Sequence, residues 1–260
     1  MVTCDAILLG AGLGTRFAET TQGAQKDLPK QFHDLEGYPV LIHSLRSFLT
    51  LGLIRQFVLV VHPAYLNMTR ELLKKYTAVL GNTPIKVISG GSRRQDSSRI
   101  GLEYLELEGQ PATRVIIHDA CRPFLGLEFL QRIREKITDR SYGAWIPIIP
   151  VVDTLKRIEN LEVVETVDRS LVHRVQTPQI FEYSVIRSLA DKAKGSSDLT
   201  FTDDAALCEY YGIPVGVFDG DVRNIKLTYD FEMEMLRLVL KEIRVRTETQ
   251  VGGLAEEYKQ

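Results

Sequence analysis

Residues 8–17 read LLGAGLGTRF, in which Gly10, Gly12 and Gly14 crowd one turn and Arg16 follows. Glycine lets a backbone take positive φ and approach a ligand closely. Backbone N–H groups in such a turn suit a nucleotide phosphate. Two common phosphate motifs do not fit. The Walker loop needs Gly-Lys-Ser/Thr, which is absent here. The dinucleotide fingerprint needs a third glycine or alanine, and that position falls on Phe17 when read from Gly12 and on Thr15 when read from Gly10. A second cation, Lys30, stands downstream in LPKQF. A turn flanked by Arg16 and Lys30 suits a polyphosphate whose charge grows in a transition state. The turn alone reads equally well as a strand–helix connection.

Further polar groups fall in short motifs along the chain. GGSRRQDSS (90–98) offers a second glycine turn with Gly91, Ser92 and Ser97. IIHDACRPF (116–124) ends a strand-like run with Asp119 and Arg122. VVDTLKR supplies Thr154, VDRSLVHRVQTPQ supplies Arg169 and Thr177, TDDAAL begins with Thr202, and NIKLT supplies Lys226. Each has a plain structural role open to it. Asp119 could cap a helix or pair with Arg122. Thr177-Pro178 could be a turn, Arg169 a solvated charge, and Thr202 an N-cap. Cys121 reads as a small packed residue, and the five histidines form no H-x-x-x-H pair.

These groups need a frame. Strand-like runs at Ala6–Leu9, Phe57–Val61, Ile85–Ser89, Val115–His118, Ala144–Ile149 and Val215–Phe218 alternate with helix-like segments at Pro39–Leu51, Ala64–Leu80, Asp96–Leu107 and Leu127–Thr138. Continuous Ile/Val/Leu runs suit strands covered on both faces. The alternation predicts an α/β fold with a Rossmann-like, mostly parallel sheet flanked by helices. Ligands of such sheets lie beyond the carboxyl ends of the strands, which puts the Gly10–Arg16 turn and Asp119 on one rim. One segment departs from the pattern. Thr154–Ile158 and Val163–Val167 flank a turn at Glu159-Asn160 and predict a projecting β-hairpin arm over about 152–175. Residues 1–260 are expected to form a single domain with this arm. A two-stranded arm is marginal alone, so a homodimer is expected. Ala18–Leu28 reads as a flap or a surface insertion over the phosphate turn, and the tail after Lys241 as a fraying end.

The chain has 260 residues, 44% hydrophobic and 25% charged, with net charge −2. This is ordinary for a soluble globular protein and argues against nucleic-acid coating. Cys4, Cys121 and Cys208 are scattered without C-x-x-C spacing, which suits reduced thiols rather than a disulfide framework or a zinc site. Neither a signal peptide nor a membrane span is visible, so a cytoplasmic location is expected, with no membrane partner.

Together GAGLGTRF, LPKQF, GGSRRQDSS, HDACRP, VVDTLKR, VDR, QTPQIF, TDDA and NIKLT resemble, in order and wording, the 2-C-methyl-D-erythritol 4-phosphate cytidylyltransferase family. The likeness runs from about Ala6 to Glu232. It implies a nucleotidyltransferase that moves CMP from CTP to a polyol phosphate with Mg²⁺. Ribitol 5-phosphate enzymes share most of the pattern. An inactive nucleotide-binding protein is a reading from a different class, and a dinucleotide-dependent oxidoreductase is a more distant one. By this resemblance Gly10, Ala11, Gly12, Gly14, Gly91, Ser92, Ser97 and Asp119 hold CTP. Arg16, Lys30 and Lys226 are catalytic. Arg122, Thr154, Arg169, Thr177 and Thr202 bind the acceptor. Asp119 holds the metal, with Asp221 the nearest substitute for an acidic residue that the family often places where Arg223 stands. Two further departures are Cys121 in place of the usual alanine and the long stretch between Arg16 and Lys30.

Overall fold

A computed structural model of the chain describes residues 3–21, 28–194 and 200–243. It begins with strand β1 (Cys4–Gly10), the glycine turn and helix α1 (Thr15–Thr20). A minimal hairpin, β2 (Asp34–Leu35) and β3 (Tyr38–Pro39), turns through Glu36 and Gly37 at φ 55° and 93°. There follow α2 (Val40–Leu49), β4 (Ile54–Val61), α3 (Leu66–Lys75), α4 (Thr77–Leu80), β5 (Ile85–Ser89), α5 (Arg94–Leu107), β6 (Arg114–Asp119), α6 (Leu127–Thr138) and β7 (Ala144–Pro150). The remainder is β8 (Leu155–Glu159), β9 (Glu162–Val167), β10 (His173–Val175), β11 (Gln179–Glu182), α7 (Tyr183–Lys192), α8 (Ala205–Tyr210), β12 (Val215–Asp219) and a helix α9 over 232–243.

The main sheet runs β5-β4-β1-β6-β11-β7, with parallel pairing from β5 to β6. β11 is antiparallel to both β6 and β7. Ile148 of β7 pairs with Val175 of β10 and with Asp219 of β12. β10 and β12 therefore hold opposite edges of β7. The sheet is thus mostly parallel, with one antiparallel insertion.

Alternation along the strands builds two cores. Ala6 and Leu8 of β1 join Phe57 and Leu59 of β4 under Leu41 and Phe48 of α2 and Phe129 and Ile133 of α6. Ile7, Val58, Val60, Val115 and Ile117 face the other way, under Leu102 and Leu105 of α5 and Ile186 and Leu189 of α7. This is the period-two pattern of a sheet covered on both faces. A third cluster places Phe17 of α1 among Leu227, Met233 and Leu236, against the front of α9.

All six expected strands and three of the four expected helices form with small boundary shifts. The fourth, expected over Ala64–Leu80, is broken. A 3₁₀ turn covers Pro63–Tyr65, and α3 stops at Tyr76, which leaves helical geometry at φ −106° and ψ 17°. Its ring packs against Tyr38 at 5.4 Å between centroids, a tertiary contact that periodicity does not register. α5 starts two residues earlier than expected, because the Asp96 carboxylate accepts the Arg93 N–H at 3.2 Å and fixes the helix start.

The arm is present as a two-stranded sheet hydrogen-bonded only to itself, with nearly all of its residues exposed. Its turn is Asn160-Leu161, one residue later than expected, with φ of 48° and 68°. Two positive φ values in succession match the right-handed twist of a hairpin. Residues 22–27 of the expected flap, and the tail beyond 243, lie outside the described residues.

Gly101 shows how tightly α5 sits on the sheet. A Cβ there would lie 2.8 Å from Ile7 Cγ2 of β1. Alanine in a helix normally gains about 0.5–1 kcal/mol over glycine, but overpacking a core costs roughly 1–3 kcal/mol. Gly101→Ala is therefore expected to lower stability by about 1–2 kcal/mol, read as a lower urea midpoint with an unchanged slope.

Candidate active site

Leu9 of β1 pairs with Asp119 of β6, and Gly10 pairs with Val61 of β4, so these strands end level. The turns after β1, β5 and β6 meet on this edge around a cavity of about 360 Å³. Its walls include Gly10, Ala11, Gly12, Gly14, Arg16, Lys30, Gly91, Ser92, Ser97, Asp119 and Lys226, all expected from the sequence.

Local geometry explains the glycines. Gly14 has φ 70°, and a Cβ on it would touch the Lys30 side chain at 3.4 Å. Gly90 lies so close to the first turn that a Cβ there would sit 2.6 Å from the Ala11 Cβ and 2.8 Å from Ser97 Oγ. The two glycine turns are in direct contact. Gly12 has no atom within 4 Å of its Cβ position and faces open space, where a ligand has room. Gln31 Nε2 donates to Gly10 O at 2.6 Å and pins the first turn to the Lys30 segment.

Asp119 is the electrostatic centre. It is 6% exposed and lies 2.9 Å from Lys226 Nζ, 3.4 Å from Arg122 Nε and 3.6 Å from Arg94 Nε. Burial alone would raise its pKa, but Lys226, Arg94 and Arg122 outweigh burial and hold it far below the usual carboxylate range. Arg94 also donates from Nη1 to the buried Asp204 at 2.7 Å. Asp204 is tied in turn through its N–H to Gln179 Oε1 at 3.1 Å. One carboxylate thus gathers the end of β6, the start of α5 and the loop before α9.

Behind Asp119 stands a second line of support. Thr177 Oγ1 accepts the Asp119 N–H at 3.1 Å and meets His118 Nδ1 at 3.0 Å. His118 Nε2 faces the Arg122 carbonyl at 3.1 Å, so that nitrogen carries the proton and Nδ1 accepts from Thr177. Burial pushes the His118 pKa down to about 4, against the raising effect of the Arg122 carbonyl bond. His118 is therefore neutral near pH 7. The Thr177-Pro178 peptide is cis.

Five expected site residues do not line this cavity. Arg122 and Thr177 are buried and serve Asp119 from behind, with Arg122 Nη1 donating to Asn224 O at 2.8 Å. Thr154 and Arg169 flank the arm and are exposed, outside this cavity. Thr202 is exposed and does not line it, whereas Asp204 two residues on reaches Arg94. Asp221, expected as a second metal ligand, lies apart from Asp119's cavity wall. Its carboxylate is clasped by Arg223, with Oδ1 accepting from Nε at 3.1 Å and Oδ2 from Nη2 at 3.0 Å.

Sequence reading also missed residues that the structure brings in. Arg93, Arg94, Gln31, Cys121 and Thr228 line the cavity. Both arginines were in view within GGSRRQDSS, and arginine after a glycine turn at a helix start was the available signal. Among the described lining residues, Arg16, Lys30, Arg93, Arg94 and Lys226 stand with one carboxylate, Asp119, while Asp96 and Asp204 pair with Arg93 and Arg94 from outside the wall. The remaining positive charge beside glycine turns suits a polyphosphate. Among the described residues no helix is long and apolar enough to cross a membrane.

A mostly parallel α/β sheet with a cationic, glycine-lined cavity at its strand ends is the architecture of a nucleotidyltransferase. Known proteins agree. A structure of 4-diphosphocytidyl-2C-methyl-D-erythritol synthase from Anaerococcus prevotii superposes with a TM-score of 0.75 at 26% identity, covering 92% of this chain and 99% of that one. The family IspD, 2-C-methyl-D-erythritol 4-phosphate cytidylyltransferase, matches residues 4–242, and the chain belongs to this family. Bifunctional IspD/IspF enzymes of Rhizobium etli and Paramagnetospirillum magneticum are 35% and 37% identical over 90% and 91% of this chain. The chain spans only 55% and 56% of their lengths.

His118 gives a pH prediction. Its pKa is about 4 in the folded chain and near 6.5 when unfolded. Between these values the unfolded chain binds the extra proton, so stability is full above about pH 6.5 and falls as pH drops toward 4. The loss is roughly 3 kcal/mol across that window. Asp119 adds a loss in the same direction only below the unfolded carboxylate pKa of about 4. Denaturant midpoints at pH 7, 6, 5 and 4 are expected to fall stepwise, and His118→Asn is expected to flatten the slope above pH 4.

Proposed function

We propose that this chain transfers the cytidylyl group of CTP to 2-C-methyl-D-erythritol 4-phosphate and releases pyrophosphate. The observation that carries the reading is the convergence of the glycine turn, Arg16, Lys30 and Lys226 around Asp119 in a member of this family. The acceptor's phosphate oxygen attacks the α-phosphorus, the bond from that phosphorus to the bridging oxygen breaks, and pyrophosphate leaves with the electron pair. A phosphate monoester has a second pKa near 6, so the nucleophile is already mostly dianionic at neutral pH. No general base is needed, and among the described residues no histidine lines the cavity. The difficulty is bringing two anions together, and that is met by positioning and positive charge.

In this reading the N–H groups of the Gly10–Gly14 turn hold the phosphates. Arg16 and Lys30 meet the charge on the α-phosphate and the departing pyrophosphate. Lys226 orients the acceptor phosphate. Gly91, Ser92 and Ser97 meet the base and ribose. Asp119 is the residue that would hold Mg²⁺. The donor set fits, because Mg²⁺ is commonly held by one or two carboxylates together with substrate phosphates. Among the described residues no cluster of three metal-binding side chains exists to hold it without the nucleotide. When bound, the ion supplies neutralisation of phosphate charge.

The acceptor role of Thr154 and Arg169 belongs with a homodimer in which the exposed arm reaches a second copy. Val152, Ile158, Leu161, Val163 and Leu171 are all more than half exposed there, an apolar surface that a partner would cover. Light scattering is expected to give twice 29.4 kDa, and a monomer at micromolar concentration would remove this part of the reading. A cytoplasmic setting suits the three free cysteines.

Pyrophosphate release from CTP and Mg²⁺ tests the whole reading, with 2-C-methyl-D-erythritol 4-phosphate and D-ribitol 5-phosphate offered separately. Release with the first alone is expected. Release with the second alone would replace the acceptor. Lys30→Ala is expected to lower kcat by about 100-fold or more, the scale of one lost transition-state donor, while CTP affinity measured by calorimetry changes less than tenfold. Equal small losses in both would indicate a binding protein without turnover.

A further inference from the structure

Arg16 is exposed, and among the described residues its guanidinium meets an aromatic face rather than a carboxylate. Its Cζ lies 6.0 Å from the centroid of the Tyr229 ring. That ring is backed by Phe231, with centroids 6.2 Å apart and planes 13° from parallel. The two rings form a shelf beside the cavity mouth. Thr228, the residue before Tyr229, lines the cavity, but Tyr229 does not.

The shelf is fixed relative to the helix that carries Arg16. The Glu232 carboxylate accepts the N–H groups of Thr228 and Tyr229, the latter at 2.9 Å. The Asp230 N–H donates to Thr20 Oγ1 at 3.1 Å, and Thr21 Oγ1 donates to Asp230 Oδ1 at 3.4 Å. Phe17, next to Arg16, is buried with Leu227, Met233 and Leu236. Hence α1 and residues 227–232 are tied together by hydrogen bonds and packing, which sets the ring beside Arg16.

We propose that Tyr229 is a positioning residue, whose ring seats the Arg16 guanidinium at the cavity wall before nucleotide arrives. A long exposed arginine otherwise samples many rotamers, and ordering it opposes binding. A ring face attracts a cation through its quadrupole, and an exposed contact of this kind corresponds to about two- to fivefold in an equilibrium. Arg16 touches the ring while still lining the cavity, so the seat favours the working position. The inference rests on the role given to Arg16 above.

A double-mutant cycle tests it, with Tyr229→Leu, Arg16→Gln and the double variant assayed for pyrophosphate release. Tyr229→Leu is expected to lower kcat/KM for CTP by about two- to fivefold and to leave the acceptor KM and the thermal midpoint unchanged. Tyr229→Phe, which keeps the ring, is expected to retain wild-type kcat/KM. In the Arg16→Gln background, Tyr229→Leu is expected to have no further effect, because its only route to the reaction is gone. Full kcat/KM in Tyr229→Leu, or the same loss in both backgrounds, would overturn the proposal. Wild-type activity in Arg16→Gln would overturn the role of Arg16 and this proposal with it.

Discussion

The site depends on one buried carboxylate. Asp119 sits at the end of β6 with Lys226, Arg122 and Arg94 converging on it. Arginine and lysine side chains held this close repel one another, and the repulsion is strong where water is scarce. Asp119 is what lets Lys226 and Arg94 share the cavity wall with Arg122 behind them. Its single negative charge does not cancel three positive ones, even with Asp204 beside Arg94. The residue therefore assembles the cations and leaves a surplus facing the cavity. Charge of this sign suits an anionic ligand.

Support for that carboxylate is layered. Thr177 holds its backbone N–H, and His118 holds Thr177, in a chain of donors and acceptors with each atom matched. Gln179 and Asp204 extend the chain to α8. Buried networks of this sort are rigid when every member is satisfied. Meanwhile Arg16 and Lys226, on segments about 210 residues apart in sequence, are mounted on one apolar cluster through Phe17 and Leu227. These two cations are thus held by a core rather than by loops alone.

Much of this was legible in the sequence. The continuous apolar runs of β1, β4 and β6 announced a sheet covered on both faces, and the hairpin alternation announced the arm. The glycine-lined side of the cavity followed from glycine turns at strand ends. What was not legible had physical reasons. β11 is four residues long and inserts antiparallel between β6 and β7, a pairing set by tertiary contact rather than by its own pattern. Tyr76 ends α3 through packing against Tyr38. The pairing of Arg122 with Asp119 was one of two readings the sequence offered, whereas Thr177 carries no sign in its type that it accepts the Asp119 N–H. The pairing of Asp221 with Arg223, its neighbour by two residues, was not legible either, because spacing does not show which cation a carboxylate meets.

The contact between the two glycine turns has a consequence for how such a chain can vary. Ala11 and Gly90 approach so closely that a single added methyl at residue 90 would fall 2.6 Å from the Ala11 side chain. Neither position can be altered toward bulk on its own without prising the turns apart. The two turns are therefore one steric unit, and added bulk in the second must be matched by a change in the first, although 79 residues of chain separate them.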